Sequence, residues 1–465
     1  MDILSTFAEL EFRVESSSLT LKNSASGSSF SGPGEIWQDL KGRIFFKAYL
    51  NDKAGELSEY CSKTFKVGHI RKKAEYFDLT AQGADGRIWS ASQVWPSSRK
   101  GLGDDKGLVS GQLREIKCIE SYPQTDANWV EMRFRGLLNY PSNITHETTE
   151  SLDGRLVRRR FEDGAAIVKA KEYEIRFFHH KSHTVVQVKS KSEIPVSMAR
   201  NITNSLRFCL MSLVECIALK SVAAGQSEAT IMLRESAGEK GFLAGSFLPI
   251  DLDPSPPADY VSDFWRLFSN YLMHSFNESE KGVATLSELV YAVISSRRVS
   301  LFSEALALGT GVEGVGKLSM SKLKTVIKRD EITRPNAIKE YSQFEHAISL
   351  INSDLSLDSA MKQRITGGIK GWMSETPIQV VDAFLKSLNL PARLLMSWKK
   401  VRHPSAHGSV SNTDSIDTRI QYVNDVRFLF YLIIMAMIEY NGPCVNYSIE
   451  GWPVYMLEVW PNLDG

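Results

Sequence analysis

Several things are scarce in this chain of 465 residues, and each scarcity removes a class of protein. It has five cysteines, Cys61, Cys118, Cys209, Cys216 and Cys444, an odd number with no Cys-x-x-Cys pair. Such scattered thiols build neither a disulfide framework nor a cysteine zinc site, and reduced thiols in a cytosol are the expectation. No basic segment followed by an apolar core stands at the start, so no secretory signal is expected. The most apolar run, Phe428 to Ile438, is shorter than the about 20 residues of a bilayer span and reads as a buried core helix, with no membrane partner. The net charge is only +1. That gives no global steering toward nucleic acid, so any such contact must come from local patches. No internal repeat is present.

What is there suits a globular protein of two or three domains. Hydrophobic residues make up 43% and charged residues 23%, ordinary values for packed domains. The first 250 residues read as a β-rich α+β domain. Short apolar and aromatic runs recur between turn signals at Arg43–Leu50, Glu75–Thr80, Trp129–Phe134 and Thr184–Val188. Asp85-Gly86 separates Tyr76–Ala81 from Arg87–Ser92 and predicts a hairpin. The Ser- and Gly-rich stretch Asn23–Gly34 predicts a mobile loop. One amphipathic helix is expected over Ile202–Lys220, followed by a strand at Ala229–Leu233.

Four prolines within Leu248–Ala258 predict a stiff linker, placed at 251–258. Beyond it, over 259–465, the pattern turns helical. Phe264, Phe268, Leu272 and Phe276 recur four apart. Helical spacing continues at Leu286–Leu308, Gln343–Ile351, Gln379–Leu388, Ala392–Val401 and Thr418–Tyr440. The expectation is an all-α bundle. Val445–Trp460 reads as a short hairpin capping it or meeting a partner.

The stretch with the most chemistry is Trp398 to Gly408, WKKVRHPSAHG. It sets a guanidinium, Arg402, and an imidazole, His407, beside Lys399 and Lys400. Metal-free RNA cleavage needs these groups. An imidazole titrates near working pH and can take a proton from a ribose 2′-hydroxyl. A fixed guanidinium can hold two oxygens of the phosphorane that forms. Residues five apart diverge around an unbroken helix. Pro404 disfavours αR at His403, so a helix ending near Val401, a corner and a restart at Pro404 are expected. Read blandly, the same stretch is an ordinary polar corner.

Arg402, a polar residue, three more residues and His407 together resemble the Arg-x(4–6)-His signature of HEPN ribonucleases. Leu301–Gly314 resembles the acidic helix of the same family, with Glu313 at the acidic place. With the β-rich first half, the chain resembles the ApeA type of prokaryotic anti-phage HEPN protein. The resemblance covers roughly the last 200 residues through its motifs. It implies an endoribonuclease working as a homodimer with a composite site, cleaving RNA such as transfer RNA by transesterification without a cofactor. It also implies a cytoplasmic defence role, with the first domain sensing a phage-derived trigger. In that frame His407 is the base and Arg402 holds the phosphorane. Glu313 orients one of them, with Glu345 as substitute. His403 is a second catalytic group or simply a polar corner residue. Lys399, Lys400 and Arg393 would track the RNA backbone. The alternative is a catalytically silent HEPN dimer that binds RNA or a protein partner.

Other constellations weigh less. Lys317, Lys322, Lys324, Lys328, Arg329, Arg334 and Lys339 form a basic run that suits either RNA or a solvated helix face. Arg158-Arg159-Arg160 reads as a hairpin edge. Gly309–Lys317 spells glycine patterns of phosphate loops, but no strand precedes it and Leu318 replaces the magnesium-binding hydroxyl. Close helix packing is the simpler reading. His179-His180-Lys181-Ser182-His183 has no carboxylate or cysteine at ligand spacing and reads as a strand end and turn, so no metal is assigned.

Overall fold

The structure, a computed structural model, describes residues 2–23, 25–51, 76–101, 106–152, 155–162, 165–236, 247–252, 260–280, 285–326, 337–354, 356–373, 376–406 and 415–459. The chain divides into two compact units, Met1–Ser246 and Phe247–Gly465. It is mixed α+β, with a β-rich first region and a helical second one.

Unit 1 opens with the short helix α1 (Ile3–Ala8), capped by the Asp2 carboxylate, which accepts from the Leu4 N–H at 3.2 Å. Fifteen strands follow among the described residues. They are β1 (Arg13–Asn23), β2 (Ser29–Gln38), β3 (Ile44–Asn51), β4 (Phe77–Gly83), β5 (Ile88–Gly101), β6 (Lys106–Leu113), β7 (Glu115–Ser121) and β8 (Asn128–Phe134). Then come β9 (Thr145–Leu152), β10 (Arg155–Glu162), β11 (Ala166–Ala170), β12 (Tyr173–His180) and β13 (His183–Ser190). Helix α2 (Met198–Leu210) precedes β14 (Cys216–Val222) and β15 (Glu228–Arg234). Thirteen strands form one sheet in the order β11-β12-β13-β8-β14-β15-β7-β5-β4-β1-β2-β3-β6. An additional β5–β6 pairing closes its far end into a barrel.

Strand β5 makes the closure by changing partners. Ile88–Ser90 pair with β7 and Trp95–Gly101 with β6. The register slips next to Pro96, which has no N–H to give a ladder. Alternation puts Phe46, Ala48, Leu50, Leu79 and Ala81 into the barrel core. The Asp85-Gly86 hairpin forms as read, with Gln82 opposite Ile88 and Gly86 at φ 82°.

Two local expectations are corrected here. The Ser/Gly-rich stretch is mostly strand, because β1 runs to Asn23 and β2 starts at Ser29. The two glycines within β2 answer a neighbour: a Cβ on Gly32 would lie 1.8 Å from the Tyr49 carbonyl oxygen of β3, and one on Gly34 2.6 Å from that of Lys47. The helix expected to reach Lys220 stops at Leu210, where Met211 turns left-handed at φ 41°. Val214 and Ile217 are buried from the turn and from β14 instead, so the same apolar residues serve two elements.

Unit 2 has helices α3 (Tyr260–Glu280), α4 (Thr285–Ser296), α5 (Leu301–Val326), α6 (Ala337–Ser353), α7 (Ser359–Met373), α8 (Pro377–Ser387), α9 (Arg393–Ala406) and α10 (Ile416–Met437). A hairpin, β16 (Gly442–Val445) and β17 (Val454–Leu457), follows. The single run expected over Leu286–Leu308 is broken between α4 and α5. The Ser300 hydroxyl accepts from the Ser303 N–H at 3.0 Å and starts the new helix. Helix α5 lies against α4, α8, α9 and α10. In α10 every side chain from Phe428 to Met437 is buried. By length and composition α10 could cross a membrane, yet 78% of its apolar window is packed inside.

Residues 247–252 belong to this unit. Tyr431 Oη donates to the Phe247 carbonyl at 2.8 Å and Tyr447 Oη to that of Leu248 at 2.7 Å. The Phe247 ring lies 3.8 Å from the Arg427 guanidinium. Arg427, 2% exposed, donates to Glu304 at 2.8 Å, and Arg297 donates to the same oxygen at 3.0 Å. The rest of the expected linker lies outside the described residues.

Candidate functional site on helices α5 and α9

Helix α9 can approach α5 closely because α5 is glycine-rich where they meet. A Cβ on Gly309 would stand 3.2 Å from Val401 Cγ1 and 3.5 Å from Arg402 Cα. Gly311 and Gly314 likewise face Phe430 and Leu289. The phosphate-loop pattern is thus continuous helix, and its glycines make room for neighbours. Trp398, 1% exposed, fixes the register by donating Nε1–H to the Gly309 carbonyl at 2.9 Å.

One turn on, the two candidate residues from the separate motifs meet. Arg402 Nε donates to Glu313 Oε2 at 2.7 Å. The other carboxylate oxygen lies 2.8 Å from Lys317 Nζ. The Lys317 ammonium foremost, and then Arg402, hold the Glu313 carboxyl below the usual carboxylate range against the opposing effect of burial. Glu313 uses only Nε of the guanidinium. Nη1 and Nη2 make no hydrogen bond to another described residue. A guanidinium pinned at Nε keeps a two-nitrogen edge suited to a phosphate or phosphorane. Glu345, the substitute acid, lies exposed on α6.

The remaining candidates divide. Lys399 is exposed three residues before Arg402 on the same helix. Lys400 is exposed too, with its ammonium 2.5 Å from Tyr422 Oη and 4.7 Å from that ring. Arg393 does not join them, since its guanidinium donates to the Ser448 carbonyl and ties α9 to the last hairpin's loop. His403 lies within α9, its side chain outside the described set. His407 lies outside the described residues altogether. The expected corner at Pro404 is corrected: α9 continues to Ala406. Pro404 gives the Lys400 carbonyl no N–H, so the helix runs through its last turn with one hydrogen bond fewer.

Of the basic run on α5, Lys317 serves Glu313 and Lys322 lies 2.6 Å from Glu439. The side chains of Lys324, Lys328, Arg329, Arg334 and Lys339, and those of Arg158-Arg159-Arg160 on β10, lie outside the described set. Sequence reading missed Tyr422 and the buried Ser397–Asp425 hydrogen bond of 2.7 Å that locks α9 to α10. Only the spacing of Asp425 four residues after Gln421, its other partner at 2.9 Å, hinted at it. No family model, curated protein or solved structure matches this chain.

Proposed function

We propose that this chain is a HEPN-type endoribonuclease that cleaves RNA without a metal, with α5 and α9 carrying its active groups. The observation that carries this reading is the ion pair between Arg402 and Glu313. Two motifs 89 residues apart in sequence meet at 2.7 Å, in the arrangement a positioned phosphorane-binding arginine requires. Exposed Lys399 supports it as a backbone contact for the substrate.

In this mechanism His407 takes the proton of a ribose 2′-hydroxyl. The 2′-oxygen attacks phosphorus, and the phosphorane's charge falls on Nη1 and Nη2 of Arg402. The bond from phosphorus to the 5′-oxygen then breaks, and that oxygen leaves with a proton from water. The product ends in a 2′,3′-cyclic phosphate. Glu313 is a positioning residue, which orients the guanidinium through Nε. A homodimer completes the site, and unit 1 supplies control, sensing a phage-derived trigger in a cytoplasmic defence protein of the ApeA type.

The test is the chemistry of the product ends. Incubating the full chain and residues 247–465 with a transfer RNA pool in EDTA should give fragments with 2′,3′-cyclic phosphate ends. Fragments with 3′-hydroxyl ends, or cleavage that returns only with magnesium, would contradict the mechanism. Saturable RNA binding without cleavage by either chain would replace it with the silent binding module.

A further inference from the structure

Unit 1 holds a cluster that the proposed chemistry does not use. Residues His180 and His183 close the β12–β13 hairpin as directly opposed partners, with Lys181 at φ 51° in the turn. Opposed residues of an antiparallel pair project to the same side. The two imidazoles stand 5.1 Å apart between ring centroids. Glu9, the residue that ends α1, brings its carboxylate to them. One donor atom from each of Glu9, His180 and His183 lies within 4.8 Å of the others.

The second observation is a missing partner. His183 is 1% exposed, and neither Nδ1 nor Nε2 has a hydrogen-bond partner among the described residues. His180 Nδ1 is likewise buried without one. Buried polar atoms left unpaired are costly, and the usual remedies are a water or an ion. The adjacent His179 is different, since its Nε2 lies 3.0 Å from the Leu138 carbonyl oxygen.

We propose that Glu9, His180 and His183 bind one divalent zinc ion, stapling the chain's first helix to the β12–β13 hairpin. Two imidazoles and one carboxylate are a donor set suited to zinc, leaving a fourth tetrahedral position for water. Zinc bonds of about 2.0–2.1 Å set donor separations near about 3.4 Å. Closing from 4.8 Å therefore takes small side-chain rotations. The Arg133 cation acts on the buried His183 imidazole. The positive charge of Arg133 is already matched by Asp2 at 3.0 Å and Glu131 at 2.5 Å. Lys181 Nζ, 2.8 Å from Glu9 Oε1, now supplies the cation at the carboxylate. Its side chain is 63% exposed and can swing aside.

The site was hidden in sequence because its carboxylate comes from the other end of the unit. Competition of the chelator-stripped full chain against a chromophoric chelator, with Zn²⁺ alone, tests it. One Zn²⁺ per chain is expected, with affinity falling at least about tenfold in His180→Ala and in Glu9→Gln. His179→Ala should bind as the parent does, and Lys181→Ala at least as tightly. The two first variants avoid removing the fully buried His183, so folding is kept, which circular dichroism checks. Co²⁺ in place of zinc should give the intense visible absorption of a tetrahedral site. Affinity unchanged in both His180→Ala and Glu9→Gln, no binding below millimolar Zn²⁺, or a weak octahedral cobalt spectrum would each overturn the assignment.

Discussion

Arg402 and Glu313 make the sharpest residue-scale predictions. Arg402→Ala removes the group proposed to bear the phosphorane's charge, and cleavage should fall by at least about 100-fold in kcat. Glu313→Gln leaves that group but loosens its aim. Its kcat should fall by less than that of Arg402→Ala, with KM nearly unchanged, measured by single-turnover cleavage. The same pair has a pH signature. The carboxyl of Glu313 is held below its ordinary value of 4.5. Its contribution to stability is therefore complete above that pH and lost as pH falls through the lowered value. Arg402 and Glu313 side chains are 33% and 25% exposed, so solvent screens the pair and its worth is at most about 1 kcal/mol. Parent and Glu313→Gln should differ in Tm at pH 7 and converge toward pH 3, a difference that added salt shrinks.

At the scale of elements, a buried charge network and close backbone approaches decide stability. Glu304, 7% exposed, holds two arginines, Arg297 and Arg427. Glu304→Ala removes the buried carboxylate that both guanidiniums share, and denaturant melts of unit 2 should show a loss of about 3–5 kcal/mol. Gly32 tests the barrel. A Cβ there meets a carbonyl oxygen of β3 at 1.8 Å, and no side chain can yield to it. Gly32→Ala should cost unit 1 at least about 1–3 kcal/mol, whereas a Cβ at Gly86 meets nothing within 4 Å and is limited only by its φ of 82°. These sites explain what was legible. Short apolar and aromatic runs between turn signals revealed β3, β4, β8 and β13: β3 and β4 alternate with one face in the core, while β8 and β13 carry consecutive buried residues. The Asp85-Gly86 turn was legible for the same local reason. The strand character of Ser29–Gln38 was not, since its glycines are there for β3, which only the folded sheet reveals. Nor was the end of α2, where helix and strand spacing coincide over Val214 and Ile217. The meeting of Glu313 and Arg402 followed from two motifs, while the engagement of Arg393 with Ser448 required the last hairpin's loop, which no spacing rule places.

For the whole molecule, the division after Ser246 makes a prediction about where unit 2 begins. Phe247 lies over Arg427 and 5.1 Å from Arg297, and its carbonyl takes the Tyr431 hydroxyl. Residues 247–465 should therefore fold cooperatively, and 260–465 should melt several degrees lower or fail to fold, as calorimetry would show. The central claim concerns the chemistry that this unit performs. The most direct measurement is the cleavage rate of a transfer RNA pool in EDTA by the parent chain, Arg402→Ala and His407→Ala, each also as residues 247–465. The account predicts cleavage by the parent and its loss, by at least about 100-fold, in both variants with RNA binding retained. Cleavage by both variants at the parent's rate, or by no chain in either length, would contradict it.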